Sequence, residues 1–132
     1  MTLNPALQGK TYREVPFVLE RDRVEAFAAA VDHQADGVPP TFATAAEHAA
    51  GVINVIADDE LGLDFSRVVH GDQGYEWRRP MRVGETLRTA TTIESIRSKG
   101  GMEFLTLRTE LRGEDGELVV VARSTLIVRG DG

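Results

Sequence analysis

Cysteine is missing from this 132-residue sequence altogether. Its absence removes disulfides, thiolate catalysis and cysteine-based metal sites together. Basic residues are outnumbered, with 15 Lys and Arg against 21 Asp and Glu, giving a net charge of −6. An acidic chain with no basic arm is a poor nucleic-acid binder, because phosphate neutralisation supplies most of that affinity. No run of ~18 apolar residues is present, so no membrane span is expected. The opening "MTLNPALQGKTY" lacks the charged-then-apolar layout of a secretory signal, and a cytoplasmic location is the expectation. Disorder is excluded too: 42% of residues are hydrophobic and 27% charged, the balance of a globular chain. The length suits one domain, residues 1–132, with a core of its own.

What is there begins with a short strand. "VPFVLE" alternates Val15, Phe17 and Leu19, a half-buried pattern. Asp22 stands three residues before Glu25, a capping-box spacing that opens a helix. Val24, Phe27, Ala28 and Val31 give that helix one apolar face, and it ends near Asp32. A second helix is predicted after Pro39-Pro40, starting near Thr41 or Thr44. Over residues 42 to 57 it would span about 24 Å. Its apolar stripe is wide and mostly alanine, with Gly51 in the middle, so it can lie very close to what it packs on. That suits a helix at the centre of the domain.

From residue 66 the period becomes two. Gln73, Tyr75 and Trp77 point to one face; Leu87, Thr89, Thr91 and Ile93 alternate next. "SKGG" turns the chain into "MEFLTLRTEL", with Leu105, Leu107 and Leu111 in step. "RGEDGE" turns it again into "LVVVARSTLIV", where Val119, Val121, Thr125 and Ile127 are read on one side. Three long strands with tight turns make an antiparallel meander, and the whole reads as α+β.

Candidate chemistry is concentrated in few residues. Asp32 and His33 are adjacent, a possible acid/base pair or a solvated pair in a turn, since neighbours in an extended loop point in different directions. Thr41 and Phe42 follow two prolines at a helix start, where free N–H groups could bind a carbonyl oxygen. The bland alternative is that the prolines simply separate two elements. His48 falls on the polar side of the alanine-rich helix and is expected to be exposed. Asp72 and Glu76 could pair with His70 or with arginines, or be a solvated strand face. Asp58, Asp59 and Glu60 end the central helix and read as a loop start rather than a metal site. Arg78, Arg79 and Arg82 cluster beside Trp77, either as exposed arginines or as a docking patch for a phosphate or an acidic carrier protein.

Several stretches resemble the MaoC-type dehydratases, especially an actinobacterial N-terminal-domain subgroup of non-catalytic subunits. They are "LNPALQGKTY", "PPTFA" at 39 to 43, "LGLDFSRVVHGDQGYEWRRPMRVGETL" at 61 to 87, "SKGGMEFLTLRTEL" and "ARSTLIVRG". The resemblance implies a hot-dog fold, a curved antiparallel sheet wrapped around the central helix. It implies an acyl thioester substrate on coenzyme A or an acyl carrier protein, with no metal and no cofactor. It implies pairing, as a homodimer or with a motif-bearing hot-dog subunit. Pro40, Thr41 and Phe42 then become candidate substrate contacts. His70 and Gly71, in the family's His-Gly phrase, become a wall or hydrogen bond of the acyl tunnel; a His70 merely satisfied by a backbone carbonyl is the alternative.

The family's hydratase motif is a Gly-Asp-x-Asn-Pro-x-His loop after the first helix, whose Asp and His share the reacting water. Here Asp32 falls near the motif aspartate, His33 is out of register, no Asn-Pro follows, and Gly37 stands where the histidine belongs. The segment before "PPTF" is also short. Asp32, His33 and His70 are therefore weak catalytic candidates. The expected function is an accessory or substrate-binding subunit of an (R)-specific enoyl-thioester hydratase or 3-hydroxyacyl-thioester dehydratase. The alternatives are a stand-alone hot-dog enzyme (dehydratase, cyclase or thioesterase) with a relocated site, and a non-enzymatic acyl-ligand binding module.

Overall fold

A computed structural model describes residues 3–130. After a short turn at Pro5–Leu7, the chain forms β1 (Val15–Val18) and helix α1 (Arg21–Ala30). A second helix, α2, then runs over residues 40–56, and a single turn at Phe65–Arg67 leads into β2 (Val68–Trp77). The long strands β3 (Thr86–Lys99), β4 (Met102–Arg112) and β5 (Leu118–Val128) follow as a meander. All pairings are antiparallel, in the order β1-β3-β4-β5-β2, so the sheet has β1 at one edge and β2 at the other. This is the α+β arrangement that the switch from helical to period-two patterning predicts.

Local chemistry explains most boundaries. Helix α1 starts at Arg21, and Glu20 at its N-cap makes no side-chain bond. The Asp22–Glu25 capping box therefore does not form. Asp22 sits inside the first turn, where its negative charge faces the positive helix end. Asp58, just past α2, is tied to Lys10 Nζ at 2.6 Å and to the Tyr12 hydroxyl at 2.7 Å. Those bonds hold its carboxyl below the usual range and fasten the N-terminal segment to the helix end.

Helix α2 is not uniform. It opens with a tight turn at Pro40–Phe42, is α-helical over Ala43–Ala46, widens to π-helix over Glu47–Val52, and is α-helical again over Ile53–Ile56. Insertions of this kind are rare and are frequent at functional sites. Gly51 lies in the widened stretch and is buried against the sheet. A Cβ placed there would collide with the Oγ1 of Thr91, whose hydroxyl pairs with that of Thr109 at 2.8 Å. The glycine is what lets the helix rest directly on β3 and β4.

The core divides in two. One cluster gathers Phe17, Leu19, Val24, Phe42, Leu87, Leu111 and Val120; the other gathers Leu3, Val55, Leu61, Ile93, Leu105, Leu107 and Leu126. Between them a buried polar belt crosses the molecule: Glu47 on α2, Thr89 and Thr91 on β3, Thr109 on β4 and Ser124 on β5. On β3 and β4 the predicted alternation holds, since Leu87, Thr89, Thr91, Ile93, Leu105, Leu107 and Leu111 are all buried. On β5 it is off by one. The residues that face the core along its second half are Ser124, Leu126 and Val128, while Thr125 and Ile127 are only half-buried. The run "LVVVA" is buried on both sides and hides the phase, and the inward serine reads as an outward one.

Gly51→Ala is expected to lower stability by about 1–3 kcal/mol through overpacking, despite alanine's better helix propensity. In a Thr91→Ala background the same change should cost clearly less, measured by urea denaturation. Equal costs in both backgrounds would sink the close-approach explanation.

Candidate functional site

The Asp32-His33 pair has a structural job. Asp32 N–H donates to the Ala29 carbonyl at 3.3 Å and His33 N–H to the Ala28 carbonyl at 2.8 Å, the paired bonds of a Schellman helix ending. Asp32 occupies the left-handed position of that motif, with φ of 56°. Its carboxylate accepts from the Gln34 amide at 3.1 Å. The buried Nε2 of His33 has no hydrogen-bond partner among the described residues. The two side chains are not joined to each other, so the structure does not assemble an acid/base dyad here.

The far end of the loop behaves differently from expectation as well. Phe42 is buried in the core against Phe17 and Phe27 rather than facing a ligand. Its N–H donates to the Pro39 carbonyl, and that of Ala43 to Pro40 and Thr41. The tight first turn thus consumes the donors, leaving the N–H of Thr41, an exposed residue, to the helix start. Pro40 lines a groove of about 380 Å³ with Val38, Trp77, Arg78 and Met81. Within the arginine cluster, Arg79 is occupied by Glu85 at 2.8 Å and Glu117 at 2.7 Å.

His70 lies elsewhere. Gly71 is the bulge residue of β2: the pairing with β5 slips between His70 and Asp72. A Cβ at Gly71 would stand 2.6 Å from Ile127 Cδ1, so a side chain there would have to displace the end of Ile127. The bulge reverses which side chains face inward. Below it Gln73, Tyr75 and Trp77 turn toward the core; above it Val68 and His70 line a pocket of about 480 Å³. Val52, Ile53, Ile56, Phe65, Leu126 and His48 complete that pocket. His70 Nε2 bonds the Asp72 carbonyl at 3.0 Å, which requires the proton on Nε2 and leaves Nδ1 as a free acceptor in the neutral ring. His48, exposed as predicted on its outer side, faces this pocket with its ring 6.4 Å from that of His70. Burial, and then the nearness of His70, lowers the pKa of its imidazole.

The surroundings of this pocket are apolar and open. Ile53 and Phe65 are more than half exposed, at 59% and 54%, with Ile56 and Val69 beside them in the chain and also exposed. β2 pairs with β5 alone, so its other edge has no partner among the described residues.

Sequence reasoning missed Glu47. Its carboxyl is buried beneath the pocket-lining strand, bonded by Gln73 Nε2 at 2.8 Å and at 2.7 Å from Ser124 Oγ. Burial raises its pKa. The signal was its place four residues after Ala43 and three before Ala50, on the helix's buried stripe.

An antiparallel sheet carrying one long helix, with a histidine-bearing apolar pocket beside its free edge strand, is a hot-dog fold. Several of its solved neighbours are dehydratases by name. The C-terminally truncated HadBC (3R-hydroxyacyl-ACP dehydratase) complex of Mycobacterium tuberculosis is similar with a TM-score of 0.77 at 24% identity, over 92% of this chain and 96% of that one. HtdX of the same organism is similar with a TM-score of 0.77 at 16% identity, over 89% of this chain and 51% of that one. The model of the FAS1-like dehydratase domain region matches residues 6–122, and the chain belongs to that family. Among curated relatives, a UPF0336 protein of Streptomyces griseus is 37% identical over 147 positions, taking in 98% of this chain and 97% of that one. A second, from Streptomyces coelicolor, is 38% identical over the same length. Since the 147 positions exceed the 132 residues here, roughly 18 positions of such relatives have no counterpart in this chain.

Asp32→Gly is expected to keep stability or raise it by up to about 1 kcal/mol, and Asp32→Ala to lower it by a similar amount, because the left-handed position favours residues without a Cβ penalty. Thermal melts compare the three proteins. A clear loss in the glycine variant would overturn the capping role.

Proposed function

We propose that the chain is a single hot-dog domain, residues 1–132, acting in the cytoplasm as an accessory, substrate-binding subunit. Its complex would be an (R)-specific enoyl-thioester hydratase or 3-hydroxyacyl-thioester dehydratase, with a motif-bearing hot-dog subunit supplying the catalytic Asp and His. The observation that carries this reading is the loop after α1. Its only aspartate-histidine pair is built into a helix ending, and the two side chains make no bond to each other. Hydration needs both groups on one water.

Two further features support the reading. The 480 Å³ pocket is walled by Val52, Ile53, Ile56, Phe65, Val68 and Leu126, a lining suited to the alkyl part of an acyl thioester. The exposed Ile53, Phe65 and Val69, next to the unpaired edge of β2, make an apolar border that a second hot-dog subunit would cover. The name of the HadBC complex, a 3R-hydroxyacyl-ACP dehydratase, fits a two-subunit assembly on a carrier-bound substrate. No metal or cofactor takes part in this scheme.

One observation favours a second reading, a stand-alone enzyme with a relocated site. The neutral ring of His70 would present Nδ1 at an apolar pocket, with His48, whose pKa burial lowers, beside it. A base there could take a proton from a bound thioester.

Hydration of a crotonyl thioester separates the two. The purified chain is expected to be inactive alone and to raise the activity of a subunit carrying Gly-Asp-x-Asn-Pro-x-His when mixed with it. Phe65→Glu should weaken that association at least tenfold in size-exclusion or sedimentation measurements. Turnover by the chain alone, abolished by His70→Ala, would replace the accessory reading with the second one.

A further inference from the structure

Glu47, Gln73 and Ser124 form a closed triangle of side chains contributed by α2, β2 and β5. The contacts are 2.8 Å from Gln73 Nε2 to Glu47 Oε1, 2.7 Å between Ser124 Oγ and Glu47 Oε2, and 2.7 Å between Ser124 Oγ and Gln73 Oε1. Each of these three sides needs one hydrogen, because two bare oxygens do not rest at such distances. Ser124 has a single hydroxyl hydrogen. The Gln73 amide presents its nitrogen to one neighbour and its oxygen to the other, so it supplies one more. The third hydrogen must sit on the carboxyl of Glu47.

The count is the same if the amide is turned over. Gln73 then donates to Ser124, Ser124 donates to Glu47, and Glu47 must donate to the amide oxygen. Either way the ring closes only around a neutral carboxylic acid. The surroundings agree, since Glu47 is 1% exposed and no cationic side chain bonds to it. The other groups facing it are Thr44 on its own helix, and Tyr75 and His70 on β2; His70, if charged, opposes the effect of burial. Thr44 and Tyr75 share a short hydrogen bond of their own.

We propose that Glu47 carries its proton at neutral pH, and that this proton locks the edge strand β2 to α2 and β5, making the strand's attachment sensitive to alkali. Once the carboxyl ionises, the ring holds two hydrogens for three sides. One pair of oxygens is left facing without a proton between them, and the mobile member is Gln73. Because Gln73 lies two residues past the Gly71 bulge, the same strand carries Val68 and His70 of the pocket and the open edge. The link to that pocket rests on the function proposed above; the protonation of Glu47 does not.

The sign of the effect follows from linkage. A carboxyl held neutral by the fold favours folding fully below the pKa of the unfolded carboxylate, ~4.3. The advantage is lost as pH rises toward the folded value, tenfold in the folding constant per pH unit. Glu47→Gln is the matched control: its amide can donate to Ser124 and accept from Gln73, and it cannot ionise.

Urea denaturation of both proteins across the range from acid to mildly alkaline pH is the test. The variant is expected to match the wild type in acid and to gain on it by up to tenfold in folding constant per unit above that range. At each alkaline pH, amides of β2 around Gln73 should exchange faster in the wild type than in Glu47→Gln. Parallel stability curves over the whole range would overturn the proposal. Should the variant fail to fold, carbon-13 NMR of side-chain-labelled wild type decides instead: the Glu47 carboxyl must stay in its protonated position through neutrality. A shift through the ordinary carboxylate range would overturn the proposal even if the accessory function is correct.

Discussion

The contact on which the molecule depends is the one between Gly51 and Thr91. A helix normally stands off a sheet by the length of its side chains, but here the backbone of α2 comes down onto the hydroxyl of β3. At that depth there is no room for the large residues that fill most interiors, and alanine and glycine take their place along the helix. The backbone widens into a π-helical stretch at the same level. The polar belt follows from this approach: Thr91 and Thr109 satisfy each other beneath the glycine, and Glu47 finds Gln73 and Ser124 one turn earlier. Two apolar clusters then fill the space on either side.

This arrangement separates two regions that a reader of the sequence would join. The loop after α1 carries the residues that look chemical, yet its hydrogen bonds are those of a helix ending. The region that looks like plain scaffold, the C-terminal half of α2 with the start of β2, holds the pocket and the two neighbouring imidazoles. The residues that look chemical and the apolar pocket therefore lie in different parts of this chain.

Legibility varied with how one-sided each element is. β3 and β4 alternate cleanly because one face is buried and the other is charged, so their phase could be read directly. β5 is buried on both faces through Val119–Ala122, and of its three adjacent polar residues, Arg123 to Thr125, the middle one, Ser124, points inward to a buried acid. Glu47 was passed over for the same reason: a carboxylate in an alanine stripe reads as a surface residue unless its partners are known, and those lie 26 and 77 positions away. Asp32 misled in the opposite direction. An aspartate tolerates the left-handed conformation nearly as glycine does, so a cap and a catalytic acid look alike in one dimension.

The bulge at Gly71 gives β2 two phases in ten residues. Odd-numbered side chains serve the core below it and even-numbered ones serve the pocket above it. Were Gly71 drawn into the regular ladder instead, Val69 would turn inward and His70 outward without altering any side chain. In related chains, then, whether the histidine of "VVH" and the glutamine keep the same inward phase is a stronger sign of a shared cavity than the identity of the residues between them.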